Sequence, residues 1–490
     1  MATPIPPNRA HFTLGELAAA TGGRLFAADP ETAVTGVTTD SRTAEAGGLF
    51  VALWVPPGGP LEMSRDGHEF VAAARERGAF PLVAARRGVT GPRLEVVDTL
   101  RALGDLARHF VARQTQGHPV PALAIGGAAG KTTTKTLAAA AVTALCGPTL
   151  ATPGSLNNLL GVPLTLLCLG REHRTMVIEC GTSSPGEIPR LGEIVRPEVA
   201  LVLNVDLEHS ERLGDLAAIA DEEAALFAAA RRAVVTSTEE PELLARLPRS
   251  GGQEALLFGA GAPADVRLAR RETLPDGTAR VVLEIAARLR ARRADRRLEI
   301  VTPLLGPTAA VDLAAAVAGT AALRDRPLDQ EELVAVARAL GAVPAVPGRL
   351  APRRFGEVLV LDDTYNANPR SVRAALAAAR EAAAARNGRL LVALGDMLEL
   401  GDAAATAHAE IVQEAAAGAA LFAGAGPLTT AAARAAGLAT DCLLADDAAE
   451  LAEALVARSA PGDVVLVKGS RGMRMERLVA AFERAGEDPG

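Results

Sequence analysis

Apolar residues in this chain fall into short unbroken runs, each followed by a longer stretch of helical spacing. Ala122-Leu-Ala-Ile-Gly126, Arg174-Thr-Met-Val-Ile-Glu179 and Val199-Ala-Leu-Val-Leu-Asn204 are such runs in the middle of the sequence. Runs that are apolar at every position predict strands covered on both faces, and their alternation with helices predicts a parallel sheet. Earlier, Thr13 to Gly22 reads as a short helix with a glycine stop. Val34 to Arg42 is a β-rich run ending in polar residues, and Gly48–Leu53 and Ala79–Ala84 are strands. Trp54 to Arg65 is a Pro/Gly-rich loop, Gly67 opens a helix, and another helix contains Arg101 to Arg113. Gln114 to Pro121 and Val343 to Arg349 read as linkers. Beyond the second linker, Val358–Asp363, Leu390–Asp396 and Val464–Ser470 are apolar strands with charged residues at or near their ends. The expected fold class is α/β in three domains. A small mixed α/β domain spans 1–115, a central phosphate-loop parallel-sheet ATPase domain 116–343, and a C-terminal Rossmann-like α/β domain 344–490.

Composition narrows the function classes. A chain of 490 residues is too long for one core, and 49% hydrophobic with 22% charged residues marks it as globular rather than disordered. A net charge of -7 argues against a general nucleic-acid binder, and 3% aromatic residues leave little for base stacking. The four cysteines are scattered with no Cys-x-x-Cys pair, which fits a reducing cytoplasm and no structural zinc. Met-Ala-Thr-Pro-Ile-Pro-Pro at the start lacks a basic region followed by an apolar core, so no signal peptide is expected. Thr136 to Gly170 carries no formal charge, but glycines and prolines interrupt it, predicting a buried helix, a loop and a second helix rather than a membrane span. Of 51 Lys plus Arg residues only three are lysine: Lys131, Lys135 and Lys468. Arginine serves as a surface charge but does not replace a compact flexible ammonium at a phosphate, so these positions resist exchange.

Two of those lysines sit in Gly126-Gly-Ala-Ala-Gly-Lys-Thr-Thr-Thr-Lys135, between a strand and a helix. Gly127 and Gly130 would let backbone N–H groups turn around an anion at a helix N-terminus. Lys131 would reach the outer phosphates and the Thr132 hydroxyl would sit on Mg²⁺. The spacing is Gly-x-x-Gly-Lys-Thr; the first glycine of the longer phosphate-loop pattern falls on Ile125. A glycine-rich turn with a solvated lysine is the plainer alternative. In parallel sheets ligands bind beyond the carboxyl ends of strands, so the loop, Glu179 and His209 would share one rim and bind Mg²⁺. Taken singly, Glu179 also reads as a helix cap, His209 as a surface residue, and Asp40-Ser41-Arg42 as a solvated turn.

Longer words then carry a resemblance. Thr39-Asp-Ser-Arg42, Leu49-Phe-Val-Ala-Leu53, Leu156-Asn-Asn158, Asp362-Asp-Thr-Tyr-Asn-Ala-Asn-Pro369, Leu394-Gly-Asp-Met-Leu-Glu-Leu-Gly401 and Val467-Lys-Gly-Ser-Arg471 together resemble the Mur ligase family. Within it they are most similar to the branch that joins D-alanyl-D-alanine to a UDP-linked muramyl tripeptide. The resemblance implies an ATP- and Mg²⁺-dependent, cytoplasmic peptide ligase of peptidoglycan precursor synthesis that works through an acyl phosphate. It implies small-molecule substrates, no nucleic acid or membrane span, and a monomer. It places ATP on Gly127, Gly130, Lys131, Thr132 and Thr133, with Arg349 and Asp363 closing on the nucleotide. It places Mg²⁺ on Thr132, Glu179 and His209, and the UDP-sugar on Asp40, Ser41 and Arg42. Asn157, Asn158, Asn366, Asn368 and Lys468 become substrate contacts, and Lys131, Glu179, His209 and Glu223 the catalytic set.

The chain departs from the family in several places. Glu223 stands where relatives carry a lysine modified to a carbamate, and reads either as a built-in carboxylate or as an ordinary helix-surface glutamate. Ala128 and Ala129 replace polar loop residues, Ser155 an asparagine, and Thr308 and Asp312 a histidine and an asparagine. A related ligase with another acid and amine, and a weakly catalytic nucleotide-binding homologue, are the competing readings.

Overall fold

The computed structural model describes residues 4–55, 65–85, 87–207, 210–248, 252–398, 400–438 and 440–487. The chain divides into two compact units. The first is Met1–Arg267 with Ile285–Arg296 and Asp312–Val336; the second is Leu268–Glu284, Arg297–Val311 and Ala337–Gly490.

The first unit opens with a five-stranded sheet in the order Arg24–Phe26, Arg93–Val96, Phe80–Ala84, Leu49–Val51, Val37–Thr38. Its last four strands are parallel and the first is antiparallel to its neighbour. The β-rich run Val34–Arg42 is not one strand. Gly36, at φ +85°, breaks it, so Ala33–Thr35 pairs with His11–Thr13 while Val37–Thr38 joins the larger sheet. The helix Leu14–Thr21 has a Thr13/Glu16 capping box and ends at Gly22 in the left-handed region, the glycine stop expected. The Trp54–Arg65 loop lies mostly outside the described residues.

Asp98 caps the helix Thr99–Gln114, whose buried face includes Leu103, Leu106 and Phe110. This helix lies close against Glu187–Val195, because a Cβ on Gly104 would stand 2.6 Å from Ile194. The five-stranded sheet and the next one therefore share a continuous core running from Phe12 through Phe110 to Ile178 and Val202.

The parallel sheet of this unit runs Thr149–Ala151, Thr175–Glu179, Ala122–Gly126, Val199–Val202, Ala233–Ser237, Glu254–Gly259. The strand Thr149–Ala151 falls where the sequence suggested only a loop. Gly147 ends the preceding helix, and three residues then pair beside Thr175–Val177. Leu123, Ile125, Val177, Ile178 and Leu201 are wholly buried. At roughly 2 kcal/mol each, upper-bound figures, such side chains outweigh any single polar contact in fixing the sheet.

The second unit holds a six-stranded sheet ordered Ala351–Phe355, Val358–Asp363, Val464–Lys468, Leu390–Gly395, Leu421–Ala425, Asp441–Ala445, parallel except for its first pair. Its three central strands are the apolar runs of the sequence. The hairpin Ala279–Ile285 and Arg297–Thr302 is antiparallel. Gly306–Arg324, the one described helix long and apolar enough to cross a membrane, is 78% buried within the protein.

Candidate nucleotide and ligase site

The strand Ala122–Gly126 lies between two parallel neighbours, with Ile125 level with Glu179 and Gly126 level with Val202. The loop that follows therefore leaves the sheet between two carboxyl ends, where ligand sites of parallel sheets form. Gly127 has φ +119°, and a Cβ there would stand 3.0 Å from the backbone nitrogens of Leu203 and Asn204. Gly130, at φ +83°, caps the helix Lys131–Cys146. Asn204 holds the loop between them. Its carbonyl accepts the Ala128 N–H at 3.0 Å, and its side-chain oxygen accepts the Ala129 N–H at 2.8 Å. The first backbone bond inside the helix runs from the Thr134 N–H to the Gly130 carbonyl, so the N–H groups of Lys131, Thr132 and Thr133 precede it and add to a positive helix end. The Lys131 ammonium curls back to donate to the carbonyls of Gly127 and Ala128.

Beneath this loop is a buried carboxylate. Glu179 is 1% exposed. Its Oε1 accepts from the Thr132 hydroxyl at 3.0 Å and from the Asn157 amide at 2.9 Å, while the Lys135 ammonium stands 3.4 Å from its Oε2. Lys135 is 5% exposed and also donates to the Gly154 carbonyl at 2.8 Å. Its rarity in the sequence marked it, but sequence reasoning assigned it no role.

Glu223, on the helix Leu216–Ala229, is 3% exposed, and its Oε2 accepts the Gly127 N–H at 2.8 Å. That removes the helix-surface alternative: the side chain is buried and ties the helix to the loop. Asp312 packs on the other side, where a Cβ on Gly130 would meet its Oδ1 at 2.5 Å. Burial pushes the Asp312 carboxyl up to about 8, with the nearby Thr134 hydroxyl pulling the other way. Burial also drives the Cys180 thiol far above its ordinary range, which removes it as a nucleophile.

The donor set fits a phosphate with Mg²⁺. Thr132 and Glu179 offer a hydroxyl and a carboxylate in contact. Mg²⁺ takes one or two carboxylates and fills its remaining positions with water and phosphate oxygens, so a large protein cage is not required. Among the described residues no group of three or more His, Cys, Asp or Glu side chains is arranged to hold a metal, and His209 lies outside them.

Two families match the chain: the Mur ligase middle domain over residues 125–319, and the Mur ligase glutamate ligase domain over 348–471. The UDP-N-acetylmuramoyl-tripeptide–D-alanyl-D-alanine ligase of Escherichia coli (strain K12) is 32% identical over 97% of this chain and 99% of its own length. The chain belongs to the Mur ligase family. A MurF structure from Acinetobacter baumannii superposes with a TM-score of 0.80 at 28% identity, covering 98% of this Mur ligase and 100% of that chain. The MurF ligase from Thermotoga maritima, solved in complex with ADP, reaches 0.75 at 26% identity, covering 92% and 97%. The three α/β parts expected of a Mur ligase are present as the five-stranded, parallel and six-stranded sheets.

Asp40 and Arg42 form a closed turn past Val37–Thr38, and the Arg42 guanidinium holds the Asp40 carboxyl below its usual range. Ser41 lies in the same turn. Asn158 accepts the N–H groups of Leu160 and Gly161. Asp363 and Lys468 are register neighbours on adjacent strands, 2.6 Å apart. Burial raises the Asp363 carboxyl against the opposing pull of Lys468. Lys468 is 2% exposed and also donates to the Asn366 carbonyl at 2.8 Å. Asn368 caps the helix Pro369–Arg386, and the exposed Arg349 lies over the Tyr365 ring at 4.4 Å. Sequence reasoning missed Asn204, because its partners are main-chain atoms of a loop 75 residues away.

Proposed function

We propose that this Mur ligase joins the amine of D-alanyl-D-alanine to the terminal carboxylate of UDP-N-acetylmuramoyl-tripeptide, with ATP converted to ADP and phosphate, in peptidoglycan precursor synthesis. The observation that carries the reading is the Thr132 hydroxyl 3.0 Å from the buried Glu179 carboxylate, directly below a glycine loop and a lysine, in a chain similar to the E. coli ligase over nearly its whole length.

The substrate carboxylate attacks the γ-phosphorus, ADP leaves, and an acyl phosphate forms. The amine then adds to the acyl carbon, and phosphate departs from the tetrahedral intermediate, taking up directly or through water the proton that the amine nitrogen gives up. Such steps need positioning and charge neutralisation more than a protein nucleophile. Lys131 leaves the carbonyls of Gly127 and Ala128 for the γ-phosphate, and the helix N–H groups with Thr133 hold the phosphate oxygens. Thr132, Glu179 and His209 would hold Mg²⁺, which when bound screens the charge between phosphate and attacking carboxylate. Glu223 fixes the first turn of the loop through Gly127.

We assign residues 1–115 to the UDP-sugar, through Asp40, Ser41 and Arg42, and residues 116–343 to ATP. Residues 344–490 take the amine substrate, with Asn366 and Asn368 on the substrate and Arg349 and Asp363 on the nucleotide. Lys468 acts by orienting Asp363 and the Asn366 turn, and Asn157 and Asn158 line the carboxylate side. The enzyme works in the cytoplasm, in keeping with four unbridged cysteines, and as a monomer.

The test is phosphate release with purified substrates. Release is expected only when both UDP-N-acetylmuramoyl-tripeptide and D-alanyl-D-alanine are present, and Lys131→Ala lowers it by about a thousandfold, the scale of a lost transition-state charge contact. Release with a different amine, or with none, overturns the reading.

A further inference from the structure

We infer that Lys135 is a positioning residue that limits Glu179 to a single metal-facing oxygen and so sets which divalent cation the nucleotide site accepts. The inference rests on the reading of Thr132 and Glu179 as the cation-bearing pair and names a determinant of that pair's selectivity.

The two oxygens of Glu179 have different surroundings. Oε1 is the loop-facing atom, shared by the Thr132 hydroxyl and the Asn157 amide. Oε2 is buried and accepts no hydrogen bond, and the Lys135 ammonium 3.4 Å away is its charged neighbour. Lys135 is itself anchored. It projects from the second turn of the loop helix and donates to the Gly154 carbonyl, in the segment that goes on to Asn157. The two carboxylate oxygens thus differ: Oε1 faces the Thr132 hydroxyl and the Asn157 amide, and Oε2 lies beside an anchored positive charge.

Cation chemistry turns that asymmetry into selectivity. Mg²⁺ is small and octahedral, and takes carboxylates one oxygen at a time beside its waters. Ca²⁺ is larger and readily takes both oxygens of one carboxylate. A lysine ammonium 3.4 Å from Oε2 disfavours the two-oxygen mode by charge repulsion, while leaving the one-oxygen mode open. An arginine, with its wide planar fork, does not present the same point charge at a buried carboxylate. This accounts for a lysine here in a chain whose basic residues are otherwise almost all arginine.

The experiment is calorimetric binding of a non-hydrolysable ATP analogue to the full chain in Mg²⁺, in Ca²⁺ and in EDTA, for the unmutated chain, Lys135→Met and Lys135→Arg. The unmutated chain is expected to favour Mg²⁺ over Ca²⁺ clearly. In Lys135→Met that ratio falls about tenfold as Ca²⁺ gains the second oxygen, while affinity in EDTA changes by less than about twofold. Lys135→Arg keeps the charge and most of the volume, so it stays measurable if the methionine variant does not fold, and it narrows the ratio in the same direction. An unchanged metal ratio in either folded variant, or equal losses in Mg²⁺, Ca²⁺ and EDTA, overturns the inference and leaves Lys135 a structural ion pair. If the unmutated chain binds nucleotide equally with and without Mg²⁺, the Thr132–Glu179 reading itself fails, which is a separable result.

Discussion

Asp312 is a carboxyl group cut off from water beside the turn that would hold phosphate, and burial raises its pKa to about 8 from 3.8. Below about 4 the group is protonated both folded and unfolded, and burial of the neutral acid exacts no ionisation penalty. Between about 4 and about 8 the unfolded chain ionises while the folded one does not, so stability falls as pH rises; above about 8 the loss stops growing. Asp312→Asn removes this slope. The variant is expected to match the unmutated chain near pH 4 and to exceed it by about 3 kcal/mol at pH 8, discounted from the full linkage figure. Thermal melts across that range check it, and a constant offset between the two proteins would rule the linkage out. Sequence marked Asp312 only as a departure from the family; its burial is not legible there. Asp312 sits in a long Ala-rich helix, and only the fold brings it to Gly130.

At the level of the element, the glycine loop between Ala122–Gly126 and Lys131–Cys146 is where the backbone expected from sequence and the backbone observed agree most closely, because glycine reports backbone conformation directly. Gly127 and Gly130 are needed where φ is positive and where neighbouring atoms leave no room for a Cβ. Gly130→Ala would combine a left-handed backbone at a residue with a side chain and a clash with Asp312. The expected cost is about 2 kcal/mol of stability, with a larger loss of ATP affinity as the helix end rotates away from the loop. Paired denaturant and nucleotide titrations separate the two, and an alanine variant with unchanged affinity would show that the loop does not hold the phosphates. The strands flanking the loop were equally legible, because residues such as Val177 and Leu201 must be apolar on both faces. Less was readable where an element depends on its partner. Thr149–Ala151 is a strand only because Thr175–Val177 offers an edge. Glu223 looks like any member of the acidic cluster Asp221-Glu222-Glu223 until the helix docks and carries it to Gly127. The Asn368 side chain, named from a motif word, also caps the helix Pro369–Arg386, a role its Asn-Pro-x-Ser spacing already contained.

Across the whole molecule the three lysines differ sharply in their surroundings. Lys135 and Lys468 are buried against Glu179 and Asp363, and Lys131 alone is partly exposed, folded onto its own loop. Every other basic side chain except histidine is a guanidinium, which amine-reactive esters do not modify. Brief acylation of the native chain, read by intact mass and peptide mapping, is therefore expected to label the amino terminus and Lys131 and no other residue. ATP with Mg²⁺ should suppress the Lys131 adduct while leaving the terminal one unchanged, because the ammonium then holds phosphate. Lys135 and Lys468 should react only after denaturation. Rapid native labelling of Lys468 would mean that its pair with Asp363 opens freely, which would remove the orienting role assigned to it. Labelling of Lys131 that nucleotide does not affect would mean that the loop lysine never reaches the triphosphate, and the ligase mechanism would lose its principal cation.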